Sequence, residues 1–252
     1  MLSHAQIQQF KIDGYLVIPS LFSPQKVAQL KLKTNEHLAN RTPPFELEAD
    51  VQYPGAPSNA SDAGGQTIRR LRMAHQRSDI FKQIAENSTL IESIRQILGG
   101  KELFLNPNHH NCVMTKQPEY SSETHWHRDT RYWNFDNKYL INAWVALGDE
   151  REENGCMKIL PGSHRWEVRR EALDDAQFLI PDHPDNAGRL PTQRLVELNA
   201  GDALLFSAHC FHAAGKNTTE NSKFSAVFTY HNEDTAPIPN SNSAQISSIK
   251  IL

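Results

Sequence analysis

Cysteine is scarce: the chain has three, Cys112, Cys156 and Cys210, widely separated and odd in number. They build neither a disulfide framework nor a paired-thiolate metal knuckle, so each reads as a small buried apolar residue. Long apolar runs are missing too, and stretches such as Tyr15-Leu16-Val17-Ile18 fall far short of a bilayer span. Positive charge is not in excess. Lys and Arg number 26 against 29 Asp and Glu, and the net charge of −3 is spread along the chain. No basic stripe is present for a phosphate backbone, which argues against nucleic acid as a partner. The first residues lack a basic region followed by an apolar core and a small-residue cleavage site. A cytoplasmic protein without membrane or nucleic-acid partners is the expectation.

What is present is an ordinary globular composition, 38% apolar and 22% charged, over 252 residues. That length buries a sizeable core and fits one domain spanning 1–252. The spacing predicts a helix after Ser3, stopped by Gly14, a strand over Tyr15–Ile18, and a second helix opened by Ser23-Pro24. Residues 40–66 are rich in Pro and Gly and read as a long loop, either a functional lid or disordered. A helical pattern covers 79–98, ended by Gly99-Gly100.

From Leu103 the texture changes to short strand-like runs: 103–105, 111–115, 139–147, 157–160, 194–198, 203–206 and 224–230. Asn154-Gly155, Pro161-Gly162 and Ala200-Gly201-Asp202 are turn signals between them. Many short strands at this spacing argue for an antiparallel sandwich or barrel. The expected layout is a helical part of about 1–100, a β core of about 101–232 and a short C-terminal tail.

Histidine stands out, with 12 residues and two clusters: His109, His110, His125 and His127, then His209 and His212. Side chains at i and i+2 of a strand share a face, so His127 and Asp129 can aim an imidazole and a carboxylate at one point. His125 shares that face, which leaves a His–His pair as an alternative. Two ligands hold a metal weakly, and a third can come from the run Gly201–His212, a glycine turn feeding an apolar strand that ends in histidine. A histidine–carboxylate set without thiolate suits iron(II), manganese or zinc, and two nitrogens plus one oxygen on a single face suit O₂ chemistry best. Arg70 and Arg72 alternate as strand residues would, either meeting an anionic substrate or lying on a solvated edge.

Three pieces carry a resemblance: His125–Trp133, the strand with Ala143-Trp144, and Glu153–His164. With Gly201-Asp202, His212, Gly215 and Asn217 following in order, the chain resembles the phytanoyl-CoA dioxygenase family of 2-oxoglutarate oxygenases over roughly residues 4–231. The resemblance implies a mainly β fold with N-terminal helices around a double-stranded β-helix (jelly-roll, cupin-like) core. It implies iron(II) held by His127, Asp129 and His212, the last preferred over His209 because Gly215 and Asn217 follow it. It implies 2-oxoglutarate as co-substrate, O₂ as oxidant, and hydroxylation of a small molecule with release of succinate and CO₂. The family arginine that pairs with the far carboxylate of 2-oxoglutarate falls on Lys223, eleven positions after His212. Lysine supplies the charge but not the planar two-pronged contact. Ser225 is placed to add a hydroxyl, Trp144 matches a pocket tryptophan, and Ala214 stands where many members have serine. Related halogenases carry a small residue where this chain has Asp129, so oxidation and not halogenation is expected. The alternative is a non-catalytic or 2-oxoglutarate-independent cupin-like metal protein.

Overall fold

Ser3 caps the first helix by accepting from Gln6 N at 3.2 Å, while the Gln6 side chain accepts from Ser3 N at 2.9 Å. This reciprocal box satisfies two amides that would otherwise lack partners. Gly14 ends the helix with φ 79, and a Cβ there would collide with the His164 ring and the Cys210 sulfur. Glycine is therefore required twice over, by its backbone angle and by the close approach.

The computed structural model describes every residue except Gln52, Tyr132, Lys138 and Leu252. In chain order the elements are α1 (His4–Asp13), β1 (Tyr15–Ile18), α2 (Pro24–Ala39), β2 (Phe45–Leu47), β3 (Ile68–Arg72), α3 (Ala74–Arg77), α4 (Asp79–Ala85), α5 (Ser88–Leu98), β4 (Leu103–Leu105), β5 (Asn111–Lys116), β6 (Thr124–His127), β7 (Ile141–Ala146), β8 (Met157–Ile159), α6 (Pro184–Ala187), β9 (Arg194–Val196), β10 (Ala203–Ser207), β11 (His212–Ala214), β12 (Lys223–Asn232) and β13 (Ile249–Lys250). No helix among the described residues is long and apolar enough to cross a membrane.

Two antiparallel sheets form the jelly roll. The larger runs β1-β10-β7-β12-β5-β3-β2, with β4 on β12 and β13 on β4; the smaller runs β6-β11-β8-β9. Strand β12 shows how the layers divide. Phe224, Ala226, Phe228 and Tyr230 pack on the helices with Leu30, Phe81, Ile84 and Ile94. Val227, with the other parity, packs inside the roll with Trp144, Met157, Leu204 and Phe206. Lys223 and Ser225 share that parity, so a lysine and a serine enter the barrel interior.

Three features differ from the sequence reading. The pattern over 79–98 is two helices, because Asn87 Oδ1 accepts from Leu90 N at 3.0 Å and restarts the chain as a new N-cap. The 40–66 stretch holds β2, which pairs with β3, and β3 pairs in turn with β5. The N-terminal part thus adds β1, β2 and β3 to the large sheet, and the C-terminal segment adds β13. Strand pairing is set by partners far away in sequence, which local pattern does not report.

Candidate active site

Strands β6 and β11 pair antiparallel with His127 directly opposite His212, and their ring centroids lie 4.2 Å apart. Asp129 follows on the 3-10 turn Asp129–Arg131 that ends β6, so it reaches the point the two rings face. His127 Nε2 and His212 Nε2 lie 3.6 and 3.7 Å from Asp129 Oδ1. All three ligand atoms fall within 4.8 Å of one another, and all three residues are buried.

The imidazoles are oriented from behind. His127 Nδ1 donates to His125 O at 2.8 Å and His212 Nδ1 to Cys210 O at 3.1 Å. A carbonyl only accepts, so each Nδ1 carries the proton and each Nε2 presents its lone pair to the centre. Burial pushes His212 down to about 4, favouring the neutral ring a metal needs. Burial alone would raise Asp129, but the neighbouring His110, through its charge and its hydrogen bond, holds it well below the usual carboxylate range. Two bonds of about 2.1 Å reach at most about 4.2 Å between ligand atoms, and both nitrogen–oxygen separations, 3.6 and 3.7 Å, fall inside that reach. The residues present therefore fit a divalent ion of the iron(II) class.

Asp129 is pinned on both oxygens. Asn142 Nδ2 donates to Oδ2 at 2.6 Å, and Asn142 Oδ1 in turn accepts from Thr229 Oγ1 at 2.6 Å. His110 Nε2 donates to Oδ1 at 3.0 Å. His110 is raised to about 10: burial acts downward, and the Asp129 charge and hydrogen bond outweigh it. Neighbouring His109 stacks on Trp133 at 4.7 Å and donates to or accepts from Ser243 Oγ at 2.7 Å. His125 is exposed and lies outside the ligand cluster, with its ring edge-on to Phe178. His209 sits in the turn before β11, also outside the cluster.

A cavity of about 280 Å³ opens on the three ligands. Trp144, Ala214, Lys116, Arg70, Arg72 and Trp133 are among the residues that line it. Lys223 and Ser225 are not among the lining residues. Lys223 Nζ pairs with Glu150 Oε2 at 2.9 Å, Ser225 Oγ donates to Glu150 Oε1 at 2.6 Å, and Trp144 Nε1 donates to the same oxygen at 2.9 Å. Glu150 is 0% exposed and the Lys223 side chain 2%. Lys223 and Ser225, the two groups expected to meet a co-substrate carboxylate, thus meet an internal one, and Trp144, which lines the cavity, also donates to it. The β2–β3 connection also reaches the site, with Glu48 and Tyr53 lining the cavity beside Arg69.

Asn142 and Glu150 escaped the sequence reading. A lone polar residue in the apolar run Ile141–Ala146 was a signal for the first; the second gave none, since its partners come from β7 and β12.

Residues 10–225 match the phytanoyl-CoA dioxygenase (PhyH) family. The chain is 23% identical over 248 residues to the ectoine dioxygenase of Stutzerimonas stutzeri, covering 91% of this chain and 77% of that protein. Among solved structures it is similar to EctD from S. alaskensis with 2-oxoglutarate and 5-hydroxyectoine, with a TM-score of 0.73, 21% identity, and 92% and 77% of the two chains covered. It is also similar to the non-heme alpha ketoglutarate dependent carbocyclase SnoK from nogalamycin biosynthesis, with a TM-score of 0.76, 18% identity, and 100% and 97% covered. These structural likenesses carry the jelly-roll fold, and the family match carries membership: this chain belongs to the phytanoyl-CoA dioxygenase family.

Proposed function

We propose that this chain is an iron(II)- and 2-oxoglutarate-dependent dioxygenase that hydroxylates a small molecule, with His127, Asp129 and His212 as the metal ligands. The observation that carries the reading is the convergence of two imidazoles and one carboxylate on a buried point that opens into a cavity. Iron(II) bound there, with O₂ and 2-oxoglutarate, supplies the oxidation of a C–H bond while the co-substrate loses CO₂ and becomes succinate.

The chain's own residues hold and shield. The His125 and Cys210 carbonyls fix the two rings, and Asn142 and His110 fix the carboxylate, so no ligand has to reorganise when the ion arrives. Trp133, Phe206 and Met157 wall the cavity and keep water from the reacting centre. Arg70 and Arg72 line it beyond the ligands, where a substrate would sit. The curated relatives are named for ectoine, which makes ectoine the first small molecule to try; the fold does not fix the substrate.

One observation favours the second reading, a metal-binding barrel without 2-oxoglutarate chemistry: Lys223, Ser225 and Trp144 are already engaged by Glu150. Succinate release separates the two. Supplied with iron(II), 2-oxoglutarate and O₂, the protein is expected to release succinate faster when its substrate is present, and Asp129→Ala is expected to abolish that coupling. Metal binding without succinate from 2-oxoglutarate under any substrate would favour the second reading.

A further inference from the structure

We propose that the molecule oxidised at this site is a small organic anion, and that Arg72 seats its carboxylate or phosphate group at the mouth of the cavity. The proposal rests on the reading of the chain as a 2-oxoglutarate-dependent oxygenase and names the substrate class of that same site.

Strand β3 turns two cations inward. Arg70 lies opposite Met114 and Arg72 opposite Cys112 on β5, and all four residues line the cavity. Cys112 packs inside the roll with Trp144, Leu204 and Val227, which fixes this as the interior face of the sheet. Strand β2 pairs along the other side of β3, and Arg72 N donates to Pro44 O at 3.0 Å, so Arg72 is not on a free sheet edge. The three arginines of β3 differ in what neutralises them. Arg69 has Glu48 at 3.9 Å and stands over the Tyr53 ring at 4.8 Å. Arg70 has Glu46 at 2.5 Å. Arg72 has no carboxylate within ion-pairing distance among the described residues, and its guanidinium makes no hydrogen bond to them.

The arrangement selects for negative charge. Arg72 is exposed while lining the cavity, so its guanidinium stands where the cavity meets solvent. A molecule entering there displaces the water around it. A neutral group would leave those donors without partners, whereas a carboxylate or phosphate matches the planar fork with two parallel contacts. Charge balance points the same way. Histidines aside, Arg69, Arg70, Arg72 and Lys116 stand around the cavity against Glu46, Glu48 and Asp129. Iron(II) and 2-oxoglutarate carry two charges of opposite sign and cancel, which leaves one cation in excess. The spacing leaves room for the rest of the molecule. Cys112, opposite Arg72, is two residues from His110, about 7 Å of extended chain, and His110 bonds Asp129 at 3.0 Å. The stacked rings of His109 and Trp133, 4.7 Å apart, wall the same cavity and offer the carbon skeleton an aromatic surface.

The test is a screen for compounds that speed succinate release from 2-oxoglutarate by the iron(II) protein in air. The panel is built of matched pairs: small amino and hydroxy carboxylic acids with their carboxamides, and phosphate esters with their parent alcohols. The stimulating compounds are expected to be anions, each at least about 10-fold better in kcat/KM than its uncharged partner, and the pair that responds tells carboxylate from phosphate. Arg72→Gln is expected to raise KM for the stimulating anion about 10- to 100-fold, the loss of one charge-assisted contact, with kcat within about threefold. The 2-oxoglutarate dissociation constant, read anaerobically from the visible metal-to-ligand band, is expected to stay within about twofold in that variant. The assignment is overturned if uncharged partners stimulate as well as the anions, if no anion in the panel stimulates, or if Arg72→Gln leaves KM unchanged or weakens 2-oxoglutarate instead. Slow succinate release by the parent protein with no compound added keeps the functional reading standing whatever the screen gives. No succinate under any condition is a different result, overturning that reading and the assignment with it.

Discussion

Asn142 and Lys116 are the two side chains on which the site's behaviour turns, one behind the metal ligand and one at the cavity end. Asn142 holds Asp129 through Oδ2 at 2.6 Å and is itself held by Thr229. Asn142→Ala leaves the three ligands in place but frees the carboxylate to rotate. Iron(II) or manganese(II) affinity is expected to fall about 10- to 100-fold, measured by competition with a chelator. Lys116 gives a pH signature. Its value of about 7 lies below the ordinary 10.5, so between those limits the unfolded chain binds a proton that the folded chain does not. Stability owed to this group therefore rises as pH climbs from about 7 towards 10, and the penalty is fully present below 7. Thermal melts between pH 7 and 10 read that rise, and Lys116→Met should lack it. At this scale the sequence was legible where chemistry and spacing coincide, as for His127, Asp129 and His212. It was silent on Glu150 because a carboxylate six residues after Trp144 has no marker until β7, β12 and the Glu150–Leu198 bridge bring it inside.

Helices and turns were readable by their caps, and strands by their alternation, with errors where a cap was hidden within a good helical pattern. Asn87 is such a case: the apolar spacing runs through it, yet its side chain starts α5. Asn87→Ala is expected to cost about 1 kcal/mol, a drop of about 2–4 °C in Tm, with metal affinity unchanged. Gly155 is the opposite kind of element, a turn whose geometry reaches the site. Gly155→Ala places a methyl against Gly215 O and Lys116 Cδ at a positive φ, so it is expected to lower Tm. Thermal melts check the effect. The Pro- and Gly-rich stretch before β3 read as loop, and the pairing of β2 with β3 was invisible there, because a three-residue strand is defined by its partner and not by its own period.

At the scale of the molecule, the jelly roll separates two tasks. One face of the large sheet packs on the helices and supplies stability; the other, with the small sheet, encloses an apolar cluster into which His127, Asp129, His212, Glu150 and Lys223 are set. Metal binding should couple to that stability, since the three ligands come together only in the folded chain. Manganese(II) at about 100 times its Kd is expected to add about 2.7 kcal/mol, a rise in Tm of several degrees that Asp129→Ala lacks. The most direct test of the whole account is an anaerobic crystal of the manganese(II)- or iron(II)-loaded protein, read by anomalous scattering. The account expects a single strong peak within about 2.3 Å of His127 Nε2, His212 Nε2 and an Asp129 oxygen. A peak bonded to only two of them, or centred elsewhere in the protein, would contradict it.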